Sequence, residues 1–465
     1  MKPISRVLVA NRGEIALRVI RACQDLGIET VLAVSDADRA SLPARLAGQC
    51  VCIGPASSAQ SYLNVNAIVT AALATGADAL HPGYGFLAES EELAAACEKE
   101  GVVFIGPPAE QIRDMGNKLQ ARALARRFEV PVLPGSEHVR TADEASALAK
   151  KIGLPVMMKA AAGGGGRGMK IVADLKELPA QFAGASAEAR AAFGDDSLYL
   201  ERYIANARHI EVQVLGDRSG NVVHLGERDC SLQRRHQKLV EESPAPGIAP
   251  SLRQSICDAA LRIARGMRYE NAGTVEFIVD QESGTYYFLE MNTRIQVEHP
   301  VSELVTGIDI VQEQIRVASG EPLRFRQQDI VLRGHAIECR INAESPHLGF
   351  RPSPGTLSQW SPPVGPNIRV DSHCFAGYTV PPFYDSLLAK LIVYGADRDE
   401  ALRRMRRSLE RFEVQGVDTT LLFLKYVFDE GAFAAGEVNT ALVEKLIRQM
   451  SAPAKAGKPE SVTHG

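Results

Sequence analysis

Several features that mark particular protein classes are missing from this sequence of 465 residues. Its eight cysteines are scattered without a CxxC pair, which argues against a zinc site or a disulfide framework and predicts a reduced cytoplasmic protein. No apolar run approaches the roughly 20 residues that span a bilayer, and the N-terminus has no charged-then-apolar leader, so no membrane partner is expected. The net charge of −4 gives no whole-chain reason to expect nucleic acid.

Helix and strand patterns alternate along the first part of the chain. Short apolar runs at residues 6–10 and 30–34 are typical of strands, and an amphipathic helix is predicted between them at residues 14–26. This alternation predicts a doubly wound α/β domain with a parallel sheet, which we place at residues 1–114. The motif His-Pro-Gly-Tyr-Gly-Phe-Leu at residues 81–87 follows a strand end, where such sheets hold ligands; a plain turn is the alternative.

A single helix carrying Lys118 is predicted at residues 112–128, followed by a smaller α+β unit. In that unit a run of glycines joins two predicted strands, and Lys159 lies near the end of the first strand. The dinucleotide fingerprint requires a helix after the loop, and a Walker loop ends in Gly-Lys-Ser/Thr, so neither motif fits. A glycine hairpin can instead close its backbone N–H groups over phosphates beside a fixed cation, and the alternative is a merely mobile hairpin.

A cluster of cationic residues stands within residues 229–242. Arg234, Arg235, His236 and Lys238 are compatible with an RNA-binding patch, with a solvated loop or with a site for a small anion. Acidic residues flank the cluster and the whole chain is negative. We therefore favour the small anion.

The most informative stretch runs from Glu290 to His299. If it is a strand, one face carries only acid, amide and guanidinium groups. A solvated surface is the ordinary interpretation of a polar face, but this set can bind a metal, an anion and a proton at successive positions. We therefore predict that it forms the floor of an active site. Its side chains are Glu290, Asn292, Arg294, Gln296 and Glu298.

A predicted hairpin precedes this stretch. A three-residue loop at residues 282–284, with Gly284 left-handed, places Glu276 directly opposite Glu290. A two-residue loop would send the two carboxylates to opposite faces. Two adjacent carboxylates repel unless a cation or a proton lies between them, and Asn292 adds a third oxygen ligand on the same face. The hairpin thus predicts a Mg²⁺ site shared with substrate phosphates.

From about residue 330 the pattern becomes β-rich, and helices return at residues 398–412 and 419–428. The segment at residues 451–465 is rich in Ala, Pro, Lys and Ser and is predicted to be a disordered tail.

Seven longer stretches stand out within residues 5–445. They are ANRGEIALR (10–18), HPGYGF (81–86), KAAAGGGGRGM (159–169), ERDCSLQRRHQK (227–238), EMNTRIQVEHP (290–300), GHAIECRINAE (334–344) and AGYTVPPFYDS (376–386). In these stretches the chain closely resembles the biotin carboxylase family, the ATP-grasp components of biotin-dependent carboxylases. The match is far more specific than a lone glycine motif.

The resemblance implies three parts: a parallel-sheet N-terminal domain, an ATP-grasp domain at residues 115–325 with a mobile glycine-loop lid at about 131–203, and a β-rich C-terminal domain at 330–445. It also implies that ATP phosphorylates bicarbonate to carboxyphosphate, which carboxylates biotin. The biotin attachment motif Ala-Met-Lys-Met is missing, so biotin would be borrowed from a separate biotin carboxyl carrier protein.

Carboxyltransferase subunits and a homodimer are further implied partners. Acetyl-CoA carboxylase is the expected parent system, with pyruvate carboxylase, propionyl-CoA carboxylase or another ATP-grasp ligase as alternatives. A non-catalytic nucleotide-binding protein is disfavoured because every expected polar position is filled.

Nucleotide-binding residues follow from the same resemblance. Two lysines would meet the ATP phosphates under the glycine loop, a glutamate and a backbone segment would read the adenine, and polar side chains would hold the ribose and phosphates. In this order they are Lys118 and Lys159; Gly163, Gly164, Gly165 and Gly166; Glu201 and Ile204; and His209, Gln233 and His236.

The remaining implied roles concern the metal, bicarbonate and biotin. The ligands of Mg²⁺, or of Mn²⁺ as an alternative, would be Glu276, Glu290 and Asn292. The residues that position bicarbonate would be Lys238, Arg294, Gln296 and Val297. Glu298 would be the base that takes the bicarbonate proton, and Arg340 would stabilise the biotin enolate.

Overall fold

The computed structural model describes residues 3–136, 138–160 and 169–451. The glycines predicted to cover the phosphates, residues 163–166, lie outside these ranges. So does the predicted tail, except for residue 451, which ends the last helix. None of the helices in the described ranges combines the length and the apolar character needed to span a bilayer.

A five-stranded parallel sheet forms the N-terminal part, with the strand order β3-β2-β1-β4-β5. Val7 and Leu8 of the central strand are fully buried because separate apolar clusters cover the two faces. This confirms the predicted doubly wound sheet. Its elements are β1 (Arg6–Val9), α1 (Gly13–Asp25), β2 (Glu29–Ser35), α2 (Leu42–Leu46), β3 (Gln49–Gly54), α3 (Val65–Ala74), β4 (Ala79–His81), α4 (Glu91–Lys99) and β5 (Val103–Phe104).

The region predicted to be helical, residues 112–128, is helical but is divided into two helices. They are α5 (Ala109–Gly116) and α6 (Lys118–Arg127). Asn117 separates them, and its side chain accepts the backbone N–H groups of Leu119 and Gln120, as an N-cap does. Lys118 therefore lies at the start of α6.

The smaller unit has its own sheet and its own core. Three antiparallel strands in the order β7-β6-β8 pack against two helices, with Met158 and Leu200 fully buried between the layers. Gly153 ends the first helix with φ +91°, a backbone conformation that glycine adopts without strain. The elements are α7 (Ala142–Ile152), β6 (Val156–Ala160), β7 (Lys170–Val172), α8 (Leu178–Phe193) and β8 (Leu198–Arg202).

One antiparallel sheet of eight strands forms the centre of the molecule and continues into the β-rich C-terminal part. The order is β13-β12-β9-β10-β11-β14-β21-β19. Its strands are β9 (Ala207–Gly216), β10 (Val222–Arg234), β11 (Gln237–Ser243), β12 (Asn271–Asp280), β13 (Tyr286–Asn292), β14 (His335–Asn342), β19 (Ile368–Ser372) and β21 (Leu387–Gly395). The sheet thus crosses the boundary predicted between residues 325 and 330, so these domain limits stay a prediction.

Helices and short strands complete the two larger parts. Helices α9 (Pro250–Gly266), α10 (His299–Thr306) and α11 (Ile310–Ala318) belong to the central part. The C-terminal part adds β15 (Glu344–Ser345), β16 (Arg351–Pro352), β17 (Gly355–Thr356), β18 (Gln359–Ser361), β20 (Thr379–Val380), β22 (Glu413–Gln415), α12 (Arg398–Arg411), α13 (Leu421–Asp429), α14 (Gly431–Ala434) and α15 (Leu442–Ser451). An apolar cluster that includes Leu391 and Leu424 joins α12 and α13 to the central sheet.

The strand predicted from Glu290 to His299 is only partly correct. Strand β13 ends at Asn292, and residues 293–298 turn directly into α10. Pro300 stands in the first turn of that helix, where its missing N–H group costs no hydrogen bond. An alternating polar pattern therefore continued past the end of the strand into a turn.

The hairpin before this segment places the two carboxylates opposite each other as predicted, but with a different loop length and strand register. The backbone N–H of Asp280 bonds to Thr285, so the loop has four residues instead of three. A register shift between Glu276 and Phe277 then brings Glu276 directly opposite Glu290. Gly284 is left-handed, with φ +68°, as predicted.

Candidate active site

A cavity of about 670 Å³ opens between the N-terminal part, the smaller unit and the central sheet. All of the predicted site residues that lie in the described ranges line it. They are Lys118, Lys159, Glu201, Ile204, His209, Gln233, His236, Lys238, Glu276, Glu290, Asn292, Arg294, Gln296, Val297, Glu298 and Arg340. The cavity thus brings together residues separated by more than 200 positions in the chain.

Lys238 is the centre of a buried cluster of charges. Its Nζ lies 2.5 Å from Glu211 Oε2, 2.9 Å from Glu276 Oε1 and 2.6 Å from Glu298 Oε1. Burial lowers the pKa of Lys238, but the three carboxylates outweigh burial and raise that pKa well above its ordinary value. This lysine therefore keeps its positive charge throughout the neutral range.

Glu298 lies between two cations. Its Oε1 accepts from Lys238, and its Oε2 accepts from Arg340 Nη2 at 2.8 Å. Burial raises the pKa of Glu298, but Lys238 and Arg340 outweigh it and hold the pKa well below its ordinary value. Glu298 is therefore ionised at neutral pH, which is the state that a base requires.

The β10–β11 hairpin brings Lys238 into the cavity. Strand pairing sets Gln233 opposite Lys238, and the turn between the strands is Arg235-His236. Both turn residues have positive φ, +48° and +66°, a strained conformation for residues other than glycine. The solvated interpretation holds for the exposed turn residues Arg235 and His236, but not for Lys238, which is largely buried among carboxylates.

At the other end of the cavity, Lys159 and Glu201 form an ion pair. Lys159 Nζ lies 2.5 Å from Glu201 Oε2, and Arg122 pairs with the other oxygen of the same carboxylate. Burial and the nearby charges of Lys118 and Arg122 lower the pKa of Lys159 to about 8, although Glu290 opposes them. Glu201 is therefore held by two cations while it lines the cavity.

His209 lies between the two ends of the cavity. Its Nε2 is 3.1 Å from Glu276 Oε2 and 3.7 Å from Glu211 Oε2. Burial lowers the pKa of His209, but the charge of Glu276 outweighs it and raises the pKa above its ordinary value. Contact between His209 and the ribose stays a prediction.

Glu276, Glu290 and Asn292 converge as a metal site requires. Glu276 Oε1 accepts from Asn292 Nδ2 at 2.8 Å, and Glu290 stands directly across the hairpin. Burial and the charge of Glu276 raise the pKa of Glu290, and no described lysine or arginine forms a salt bridge with it. Two carboxylates and an amide oxygen in this cavity form a donor set that fits Mg²⁺.

Arg294 and Gln296 are both held in place by other side chains. Arg294 Nε donates to Glu89 Oε2 at 2.9 Å, and its Nη2 donates to Asn292 Oδ1 at 3.2 Å. Gln296 donates to Glu276 Oε1 at 2.8 Å. Both line the cavity on the turn after β13, so the predicted floor of the site is formed by a strand end and a turn together.

Family models match nearly the whole chain. The biotin carboxylase N-terminal domain matches residues 3–112, the carbamoyl-phosphate synthase L chain ATP-binding domain matches residues 117–326, and the biotin carboxylase C-terminal domain matches residues 338–445. Biotin carboxylase of Pseudomonas aeruginosa is 53% identical over 95% of this chain and 98% of its own length. This chain belongs to the biotin carboxylase family.

Other biotin carboxylase relatives extend the comparison. A pyruvate carboxylase subunit from Methanothermobacter thermautotrophicus is 50% identical over 96% of this chain and 91% of its own length. The biotin carboxylase domain dimer of 2-oxoglutarate carboxylase from Hydrogenobacter thermophilus, solved with MgADP, ADP and bicarbonate, is 47% identical and superimposes with a TM-score of 0.92. That comparison covers 96% of this chain and 99% of the other. The ATP-grasp multidomain fold follows from these matches.

Sequence reasoning missed several charged residues of this biotin carboxylase site. Glu211 contacts Lys238 and Arg228, and Glu241 Oε1 accepts from Arg340 Nε at 2.6 Å. The alternation His-Ile-Glu-Val-Gln at residues 209–213 was a usable signal, because it places Glu211 on the same face as His209. Glu241 had no comparable signal, since it lies 99 residues from Arg340.

Proposed function

We propose that this chain catalyses the ATP- and bicarbonate-dependent carboxylation of biotin, through carboxyphosphate. The observation that carries the proposal is Glu298, ionised and held between Lys238 and Arg340 beside a paired-carboxylate metal site. This arrangement supports a base, an anion site and a phosphate site within one cavity. Membership of the biotin carboxylase family supports the same reaction.

The base step belongs to Glu298. Bicarbonate takes up a position near Lys238 and Arg294, and its negative charge favours contact with these two cations. The carboxylate of Glu298 then accepts the bicarbonate proton, so that the bicarbonate oxygen can bond to the γ-phosphorus of ATP while the bond from that phosphorus to the bridging oxygen breaks and ADP leaves. Arg294 suits a planar oxyanion because a guanidinium donates two parallel hydrogen bonds.

Transfer of the phosphoryl group from ATP takes place at the nucleotide end of the cavity. Lys118 and Lys159 bind the phosphate oxygens and offset their charge. Bound through Glu276, Glu290 and Asn292, Mg²⁺ supplies further neutralisation of the phosphate charge. The smaller unit, which covers this end of the cavity, keeps water from the carboxyphosphate.

The acceptor step belongs to Arg340. Its guanidinium stabilises the enolate form of biotin, while Glu241 holds the other side of the guanidinium in place. Biotin is carried by a separate biotin carboxyl carrier protein, and carboxyltransferase subunits use the product. We also propose that the chain forms a homodimer, as the biotin carboxylase domain of 2-oxoglutarate carboxylase does.

The parent complex is proposed to be acetyl-CoA carboxylase. The relatives named for pyruvate carboxylase and 2-oxoglutarate carboxylase are 50% and 47% identical in sequence to this chain. These values are close to the 53% identity of the Pseudomonas aeruginosa biotin carboxylase. Sequence identity therefore does not separate these systems. Co-purification of the carrier and transferase from the source cell identifies the acceptor, and a transferase specific for pyruvate would overturn the acetyl-CoA assignment.

The reaction itself is tested with purified protein, free biotin, MgATP and labelled bicarbonate. We expect labelled carboxybiotin that requires all three substrates, and ATP cleavage that rises when biotin is added. ATP cleavage that is indifferent to both bicarbonate and biotin would instead favour a different ATP-grasp ligase.

A further inference from the structure

Lys390 of β21 is a fully buried lysine to which the reaction assigns no role. Its side chain has 0% exposure and does not line the cavity. It stands directly opposite Arg340 on the neighbouring strand β14. A buried ammonium group is costly unless carboxylates and hydrogen-bond acceptors surround it, so the contacts of Lys390 show what keeps it there.

The first contact is an ion pair with Glu14 at the start of helix α1. Lys390 Nζ lies 3.1 Å from Glu14 Oε1, and Asp371 lies on another side at 3.7 Å. The same Glu14 oxygen accepts the hydroxyl of Tyr84, whose ring lines the cavity. The pair therefore joins the N-terminal and C-terminal parts of the chain at the cavity wall, where Glu14 lines the cavity and Lys390 lies behind it.

The second contact reaches the turn after β13. Lys390 Nζ donates to the backbone carbonyl of Val297 at 3.0 Å. Val297 lines the cavity between Gln296 and Glu298, where bicarbonate is expected. A carbonyl oxygen carries partial negative charge, so one that faced the cavity would repel a bound anion. Lys390 keeps this oxygen directed behind the wall.

We propose that the buried Lys390–Glu14 pair is a positioning device for bicarbonate. It orients the Val297 peptide, and with it the start of the Glu298 backbone, so that the wall facing the anion carries no carbonyl oxygen. Lys390 does not line the cavity and acts through the Val297 peptide, whereas Glu14 lines the cavity and holds the ammonium group. The inference rests on the proposed function, because it assigns a role within the same bicarbonate site.

Lys390→Met tests the role, since methionine keeps much of the length and loses the charge. We expect the KM for bicarbonate to rise about tenfold or more, because a Val297 carbonyl oxygen that is free to face the cavity would repel the anion. The KM for ATP is expected to stay within about twofold, because Lys390 makes no contact at the nucleotide end. The readout is bicarbonate-dependent ATP cleavage, and Lys99→Met, on the exposed face of α4, is the matched control.

The single variant leaves Glu14 buried and unpaired, which destabilises the fold by itself. The double variant Lys390→Met/Glu14→Gln removes both charges, and its melting temperature is expected to return toward that of the unmodified chain. Its KM for bicarbonate is expected to stay raised, because the hydrogen bond to Val297 is still lost. A folded double variant with an unchanged KM for bicarbonate would overturn the positioning role. An unmodified chain without bicarbonate-dependent ATP cleavage would overturn the proposed function as well.

Discussion

Two buried lysines, one at each end of the cavity, have opposite electrostatic environments. Lys238 touches three carboxylates, and its pKa is raised although burial opposes this. Lys159 forms a salt bridge with one carboxylate among the described residues, that of Glu201, and burial together with two neighbouring cations lowers its pKa to about 8. The same residue type is thus strongly neutralised at the bicarbonate end and only partly neutralised at the nucleotide end.

The difference matches the charges of the two ligands. ATP carries several negative charges, so an end with excess positive charge gains favourable interactions when the phosphates enter. Bicarbonate carries one charge and needs a base that stays ionised, which the contacts among Lys238, Arg340 and Glu298 provide. We propose that the end with Lys238 is preorganised by the protein to bind bicarbonate, whereas the end with Lys159 is completed when the nucleotide binds.

Glu298→Gln is the strongest test of the preorganised end. The amide keeps the shape but cannot accept the bicarbonate proton, so we expect bicarbonate-dependent ATP cleavage to fall about 10²- to 10⁴-fold. ATP binding, measured by calorimetry, is expected to stay nearly unchanged because Glu298 lies away from Lys159 and Lys118. Glu92→Gln, an exposed change on α4, is the control. Full turnover in Glu298→Gln would remove Glu298 from the base role.

Arg340→Ala separates the two halves of the reaction. Glu298 keeps its contact with Lys238 in this variant, so ATP cleavage that depends on bicarbonate alone is expected to persist. Carboxylation of biotin is expected to fall about 10²- to 10³-fold, as when one oriented donor to a developing oxyanion is lost. The control is Arg333→Ala, at an exposed position just before β14. An equal loss in both assays would give Arg340 an earlier role.

Glu290→Gln tests the nucleotide end of the cavity. Among the described residues Glu290 has no salt bridge, so removing its charge leaves no buried cation unpaired. We expect the Mg²⁺ requirement of ATP cleavage to shift to higher concentration by about tenfold or more, equivalent to roughly 1.4 kcal/mol of binding. Glu282→Gln, at the exposed loop of the same hairpin, is the control. An unchanged Mg²⁺ titration would exclude Glu290 as a ligand.

The sequence predicted the face-to-face carboxylates because hairpin pairing is local and Glu276 lies only 14 residues before Glu290. It did not predict that β13 ends at Asn292, because an alternating pattern looks the same in a strand and in an extended turn. Lys118 was placed inside a helix because the capping geometry of Asn117 depends on the backbone that it caps.

The partners of Lys238 and Arg340 could not be predicted for a different reason. Glu211 meets Lys238 across 27 residues, and Glu241 meets Arg340 across 99 residues. These pairs exist because four strands of one sheet lie side by side, and that order is a property of the whole fold. The parallel N-terminal sheet was predictable, since its order follows from alternating strands and helices near one another in the chain.

The smallest expected effect is a pH dependence that should differ between the two ends. Lys159 loses its proton as the pH rises through about 8, so ATP affinity is expected to fall above that pH, by at most about tenfold per pH unit. Lys238, with its pKa raised, keeps its charge, and the KM for bicarbonate should show no matching rise. Lys159→Arg should abolish the fall, because a guanidinium stays charged throughout this range. Two outcomes would contradict this difference in pKa between Lys159 and Lys238. One is a KM for ATP that stays constant from pH 7 to pH 9 in the unmodified chain. The other is a KM for ATP that rises equally in Lys159→Arg.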